Sequence, residues 1–399
     1  MKNKLEIPFF EMKNVIQDYP WGSTTSLNEL FGYDNPSNQP QAELWMGAHP
    51  NGCSSLMIDD TEYSLLELIQ EAPNDVLSHQ VNEAFSELPF LFKVLAADRA
   101  LSIQVHPSKE EAQIGFEKEN EAGIALTAYE RNYKDPNHKP ELVYALTAYQ
   151  AMNGFRSFYE IQSLLKYFSK SPIQKLAEDF SKDTSNQGLK NLFRDILSLK
   201  GSALDAGIEE LREVALVHAN EPTFAVILDL LKQYKSDVGL FAPLLLNVIT
   251  LKPGEAMYLD ARTPHAYLKG TGLEVMANSD NVLRAGLTNK HIDVEELIRC
   301  SEFKAKPYKD LVLKPSIHAD EHRYDIPVRD FAFSLYTKAD NTKVEVSSAE
   351  VLMPLDGELT LTHENGFSLT ISKGRSAFVP ACARSYSMKS GGRIARVYC

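Results

Sequence analysis

Four donor side chains are spaced along the sequence as a metal site would use them. Gln104 and His106 sit two apart in the apolar run 101–106, and the period of two in a strand puts both on one face. Glu141 closes the polar stretch Asn137-His138-Lys139-Pro140 just before another apolar run, and His265 follows a Pro-Gly turn at 253–254. Two imidazoles, a carboxylate and an amide oxygen form a nitrogen–oxygen set that suits zinc and leaves a position open for water or substrate. No cysteine belongs to the set, which argues against a purely structural zinc. On spacing alone the same residues also fit an incidental Gln-x-His pair and a solvated loop carboxylate. A second polar run, residues 273–290, carries Glu274, Asp280, Arg284 and Lys290. Acid–base chemistry on an anion needs these residue types, and a solvated loop has the same composition.

Such residues need a β scaffold to converge. The first 150 residues read mainly as strands and loops, with short helical pieces such as 64–71. Turn formers punctuate them at Pro20-Trp21-Gly22 and His49-Pro50-Asn51-Gly52. From about residue 155 the pattern turns helical. Ile161, Leu164, Leu165 and Phe168 recur at i, i+3, i+4, i+7, and Leu189 to Leu197 and Phe224 to Leu231 repeat that spacing. Residues 182–188 and Gly201-Ser202 read as connectors. Strand texture resumes at Leu246, and residues 249–259 read as a hairpin about the Pro-Gly turn. Residues 369–379 repeat that pattern, Gly374 aligning with Gly254, as a weak internal repeat.

The expected fold class is mainly β with an α insert. A cupin-like jelly roll spans 1–154 and 237–310, a helical insert occupies 155–236, and a second cupin-like β domain fills 311–399. The second copy reads Ala383-Arg384-Ser385-Tyr386 where the first has Pro-His, so it is expected to hold no metal.

The chain has 399 residues and a formal net charge of −13, which disfavours nucleic acid and anionic membranes as partners. An anionic substrate would require a local cluster of Lys and Arg. Four cysteines form no CxxC pair and read as free thiols. The N-terminus lacks a signal-peptide h-region, and the most apolar later stretch, 240–251, is too short to span a bilayer. A cytoplasmic monomer is the expectation.

Longer motifs carry a resemblance. Tyr19-Pro20-Trp21-Gly22-Ser23, Ala42-Glu43-Leu44-Trp45-Met46-Gly47-Ala48-His49-Pro50 and residues 101–107, 132–143 and 274–290 resemble the type I mannose-6-phosphate isomerases. The resemblance runs from about residue 10 to 305, and more loosely to the end. It implies a cupin-type catalytic domain, a phosphosugar substrate, and one Zn2+ per chain on Gln104, His106, Glu141 and His265. Arg284 matches the arginine usually assigned to the active site. Lys93, His138, Lys139, Glu274, Asp280 and Lys290 match residues proposed for substrate binding or proton transfer. Trp21 and Tyr267 are expected to line the sugar site. Ala100 and Asn289 stand where the family is expected to carry proline.

Two readings from other classes stay open on the residues alone. An iron oxygenase would use His106, His265 and Glu141 as a facial triad, which fits poorly with Gln104 as a fourth donor. A non-catalytic sugar-binding module would have no use for a zinc site beside bases and cations.

Overall fold

The computed structural model describes residues 4–58 and 61–399. Strands form sheets of ten, nine and four members. The ten-stranded sheet turns about one long strand, His265–Ala277. Its first half pairs with Gln104–Val105 on one side and Tyr149–Phe155 on the other. Its second half pairs with Phe90–Ala97 and Glu141–Ala145. The change of partners falls at Gly270, where φ is 122° and an added Cβ would stand 2.4 Å from the Ala148 carbonyl oxygen. Only glycine fits that bend. One bent strand thereby pairs with both Gln104–Val105, at His265, and Glu141–Ala145, at Gly272 to Met276, two segments distant in sequence.

The helical texture resolves into Phe158–Leu165, Pro172–Lys182, Asn186–Leu197, Gly201–Val217 and Pro222–Gln233. Ser157 and Glu160 form a capping box, and Ser171 and Ser185 cap the next two helices. The expected connectors are shorter than read. Ser185 restarts a helix at Asn186, and Gly201 opens a helix of 17 residues. The helices have no core of their own. Their apolar faces, from Ile161 to Leu231, merge with Ile103, Val105, Ala266, Leu283 and Leu287 in one cluster. They therefore buttress the strand that carries Gln104.

The expected hairpin at the Pro-Gly turn does not form. Leu246–Leu251 pairs with Tyr149–Phe155, while Ala256–Leu259 pairs with Glu141–Ala145. Around Gly374 the same happens, Ser368–Ile371 pairing with Leu359–Thr362 and Ser376–Val379 with Glu350–Pro354. Both turns carry the chain between different strand partners, and both glycines have positive φ.

The repeat extends to register. Leu259, five residues past Gly254, faces Glu141, and Val379, five past Gly374, faces Glu350. Glu350 is wholly buried and accepts hydrogen bonds from Tyr386 Oη (2.8 Å) and Arg396 Nε (2.8 Å), with Arg396 Nη2 on its other oxygen. The second copy thus seats a guanidinium on the carboxylate that the first copy surrounds with histidines. The first strand, Phe10–Lys13, joins this C-terminal sheet beside Ser376–Val379.

Arg396→Ala would leave Glu350 buried and unpaired. A loss of about 3–5 kcal/mol in chemical denaturation is expected, whereas His363→Ala or Cys382→Ala should leave zinc content by elemental analysis unchanged. A second metal bound within 311–399 would contradict this account.

Candidate metal centre and sugar cavity

The donor atoms of His106, Glu141 and His265 converge, His265 opening the central strand and Glu141 in register with Leu259, and all three are buried. His106 Nε2 lies 3.1 Å from Glu141 Oε1, and His265 Nε2 lies 3.5 Å from Glu141 Oε2. The other ring nitrogens are committed. His106 Nδ1 is 2.7 Å from the Asn281 carbonyl oxygen, and His265 Nδ1 is 2.9 Å from that of Thr263. Each Nδ1–H donates to its carbonyl, which fixes the tautomer and leaves a lone pair on Nε2. His106 Nε2 is buried without a hydrogen-bond partner. A bare nitrogen lone pair facing a carboxylate oxygen is repulsive unless a cation lies between them, so the donors fit a metal ion.

The local electrostatics agree. Burial, partly offset by Glu141, pulls the His106 imidazole down to about 4, so it is neutral as a ligand must be. Burial would raise Glu141, but the positive charge beside it, with the Lys139 ammonium 3.5 Å from Oε1, holds it well below the usual carboxylate range. Tyr267 Oη donates to Glu141 Oε2 at 2.5 Å.

Register places Gln104, the further donor expected from sequence, in line with His265. Gln104 faces His265 on one side and Arg284 on the other, so the three Cα positions form a row across adjacent strands. The Gln104 amide nitrogen reaches Ser102 Oγ (3.4 Å), which leaves its oxygen free. A second row runs Trp45, Lys93, Glu274. Lys93 Nζ sits 2.9 Å from Glu274 and 3.6 Å from Glu43, and 5.2 Å from the Trp45 ring centre. Burial lowers the Lys93 pKa, but the two carboxylates outweigh it and keep the amine charged. Burial raises Glu274 above its ordinary value despite Lys93.

These rows border a cavity of about 600 Å³. Trp21, Lys93, Gln104, Lys139, Asp280, Arg284 and Lys290, all anticipated from sequence, line it. Lys139 Nζ is 3.5 Å from Glu141 Oε1, tying cavity to donor cluster. Asp280 is held below its ordinary pKa by His49, whose Nε2 is 3.4 Å away, against its burial. Among the described residues no carboxylate pairs with Arg284, Lys290 or the further lining residue Arg99. Three cations without carboxylate partners in one cavity of an acidic protein suit an anionic ligand.

Two anticipated sugar contacts lie elsewhere. Tyr267 does not border the cavity; it is buried against the His265 and Tyr149 rings, with its hydroxyl committed to Glu141. His138 does not border it either; its Nε2 is turned to Asp330 at 3.0 Å. Glu274 stands behind Lys93 rather than on the lining.

Arg99, Ser102, Glu43 and Asn281 were missed by sequence reasoning. Asn281 accepts from the Lys134 N–H (2.7 Å) and donates to the carbonyls of Asp135 and Asn137 (2.6 and 2.8 Å), while its own carbonyl fixes His106. Its place inside the run 273–290 was the available signal. Ala100, at an expected proline position, uses the N–H that proline lacks, donating to Gln233 Oε1 at 2.9 Å.

The family model "Phosphomannose isomerase type I, catalytic domain" matches residues 9–158, and "Mannose-6-phosphate isomerase, cupin domain" matches 320–399. The mannose-6-phosphate isomerase of Escherichia coli K12 is 47% identical over 387 residues, covering 96% of this chain and 98% of its own. That of Rattus norvegicus is 37% identical over 383 residues, with 88% of each covered. A crystal structure of the Salmonella typhimurium enzyme, bound to its substrate fructose 6-phosphate and to zinc, superposes with a TM-score of 0.93 at 45% identity. The match covers 98% of this chain and 99% of that one.

His265→Ala removes one nitrogen of the candidate donor set. Zinc should fall well below one per chain by elemental analysis, with the circular dichroism spectrum kept. Full zinc in that variant would exclude His265 from the centre.

Proposed function

The chain belongs to the type I mannose-6-phosphate isomerases, and from that premise we propose that it interconverts mannose 6-phosphate and fructose 6-phosphate by proton transfer through an enediol(ate). It is a zinc-dependent enzyme of cupin fold. The observation that carries the reading is the link, through Lys139, between the His106–Glu141–His265 cluster and a cavity lined by Arg99, Arg284 and Lys290, which pair with no carboxylate among the described residues.

Gln104, His106, Glu141 and His265 would hold the metal. When bound, zinc supplies a Lewis acid that draws electron density from the sugar oxygens. The other steps belong to the chain. The two sugars differ by a carbonyl moved between C1 and C2, so the ring opens, a base takes the C2 proton, and a proton returns at C1. Asp280 and Lys139 border the cavity, and the proton transfers are assigned to them. Glu274 is given an indirect part, holding Lys93 at the cavity wall. Arg284, in line with Gln104, is a fixed cation for the negative charge that grows on the sugar. Lys290 and Arg99 bind the phosphate, Lys93 adds charge, and Trp21, stacked on Tyr19 with ring centres 5.7 Å apart, offers an apolar face to the sugar.

The division 1–154 with 237–310, 155–236 and 311–399 holds in this reading as one of chain segments that share cores, since the helices pack into the catalytic unit's cluster and Phe10–Lys13 joins the C-terminal sheet. The cytoplasm suits four unpaired thiols.

A coupled assay for fructose 6-phosphate formed from mannose 6-phosphate tests the reaction. Chelation should abolish turnover and zinc should restore it. Full activity in metal-free protein, or oxygen uptake on adding sugar, would overturn the reading. Arg284→Ala should retain zinc and lower kcat and kcat/KM together by about 10²–10³. A raised KM with kcat kept would instead make Arg284 a phosphate ligand.

A further inference from the structure

One contact ties the C-terminal β unit to the segment that carries Lys139 and Glu141. Asp330 precedes the strand Ala332–Tyr336 and is buried, with only 4% of its surface exposed. Its two carboxylate oxygens lie 3.1 and 3.0 Å from His138 Nε2. Behind it, the Cys399 thiol donates to the Asp330 carbonyl oxygen (3.4 Å). Cys399 is itself held at both backbone groups by Ser348, its N–H donating to Oγ at 2.9 Å and its carbonyl accepting from Oγ at 3.1 Å. On the other side, the His138 N–H donates to Asn137 Oδ1 at 3.0 Å. The next residue, Lys139, is at the cavity with Nζ 3.5 Å from Glu141.

A buried carboxylate is costly to leave unpaired, so Asp330 and His138 hold each other. Nε2 must carry the proton it donates, which fixes ring and tautomer. The chain from His138 to Glu141 is three peptide bonds long and includes the stiff Pro140. Fixing its first side chain therefore limits where Lys139 points.

We propose that Asp330 is a positioning residue of the active site: the C-terminal β unit reaches across to hold His138, and through it sets Lys139 against the sugar. This rests on the isomerase reading above. The second β unit, whose own carboxylate Glu350 is closed off by Arg396, thus serves the metal-binding unit directly.

The test is a double-mutant cycle on the zinc-loaded full chain, with mannose 6-phosphate as substrate. Asp330→Ala should lower kcat by about 10–100-fold, with zinc per chain unchanged and KM moved less than kcat. Asp330→Asn, whose amide oxygen still accepts from Nε2–H, should recover most of the loss. In a His138→Ala background the Asp330 change should cost little more, because its partner is gone. Undiminished kcat in Asp330→Ala at full zinc, or an equal loss in both backgrounds, would overturn the proposal. Should the Ala variant fail to fold, Asp330→Ser takes its place in the same cycle. An inactive wild-type protein would instead sink the isomerase reading itself.

Discussion

A single buried carboxylate organises the catalytic half of this molecule. Glu141 is removed from water, and a lone carboxylate there would neutralise itself by taking up a proton. It stays charged because an ammonium and a phenol point at it and two imidazole nitrogens beside it complete a seat for a cation. Each of those groups is brought in by the sheet from a stretch of chain that must first find its place. The fold must therefore bring Gln104–Val105, Glu141–Ala145 and His265–Ala277 together before the charge is tolerable, and the bend at Gly270 lets one strand serve both partners.

Charge is also segregated. A chain with a net charge of −13 keeps an opposite field inside its cavity, where Arg99, Arg284 and Lys290 have no carboxylate partner among the described residues. The carboxylates that do border or back the cavity are already occupied: Asp280 by His49, and Glu43 and Glu274 by Lys93. An approaching dianion meets cations that need not first release a partner, and this lowers the cost of binding.

Much of this was legible in the sequence. The helical spacing after 155 and the paired glycine turns survive into the structure, whereas the strand read over 101–106 shrinks to Gln104–Val105, with His106 just past its end. What failed did so for physical reasons. The Pro-Gly turn looked like a hairpin because local sequence cannot say which strand a strand will pair with. Ser108-Lys109-Glu110-Glu111 announced the helix Lys109–Glu121 through its capping box, a signal passed over among strand texture. Tyr267 read as a sugar contact because an aromatic beside a ligand is expected to face outward, whereas the buried oxygen of Glu141 needed its hydroxyl. Arg99 sits in no motif; only the folded chain brings it to the same cavity as Lys290.

The placement of Phe10–Lys13 has a consequence for biosynthesis. Its neighbour in the sheet, Ser376–Val379, lies almost at the other end of the chain. At ordinary translation speeds of about 5–20 residues per second, the first strand emerges roughly 20–70 s before that partner exists. Throughout that interval one edge of Phe10–Lys13 stays without the neighbour it has in the finished protein, and the nascent polypeptide must be kept from pairing it with another chain. The last strands to leave the ribosome close the sheet that the first one began.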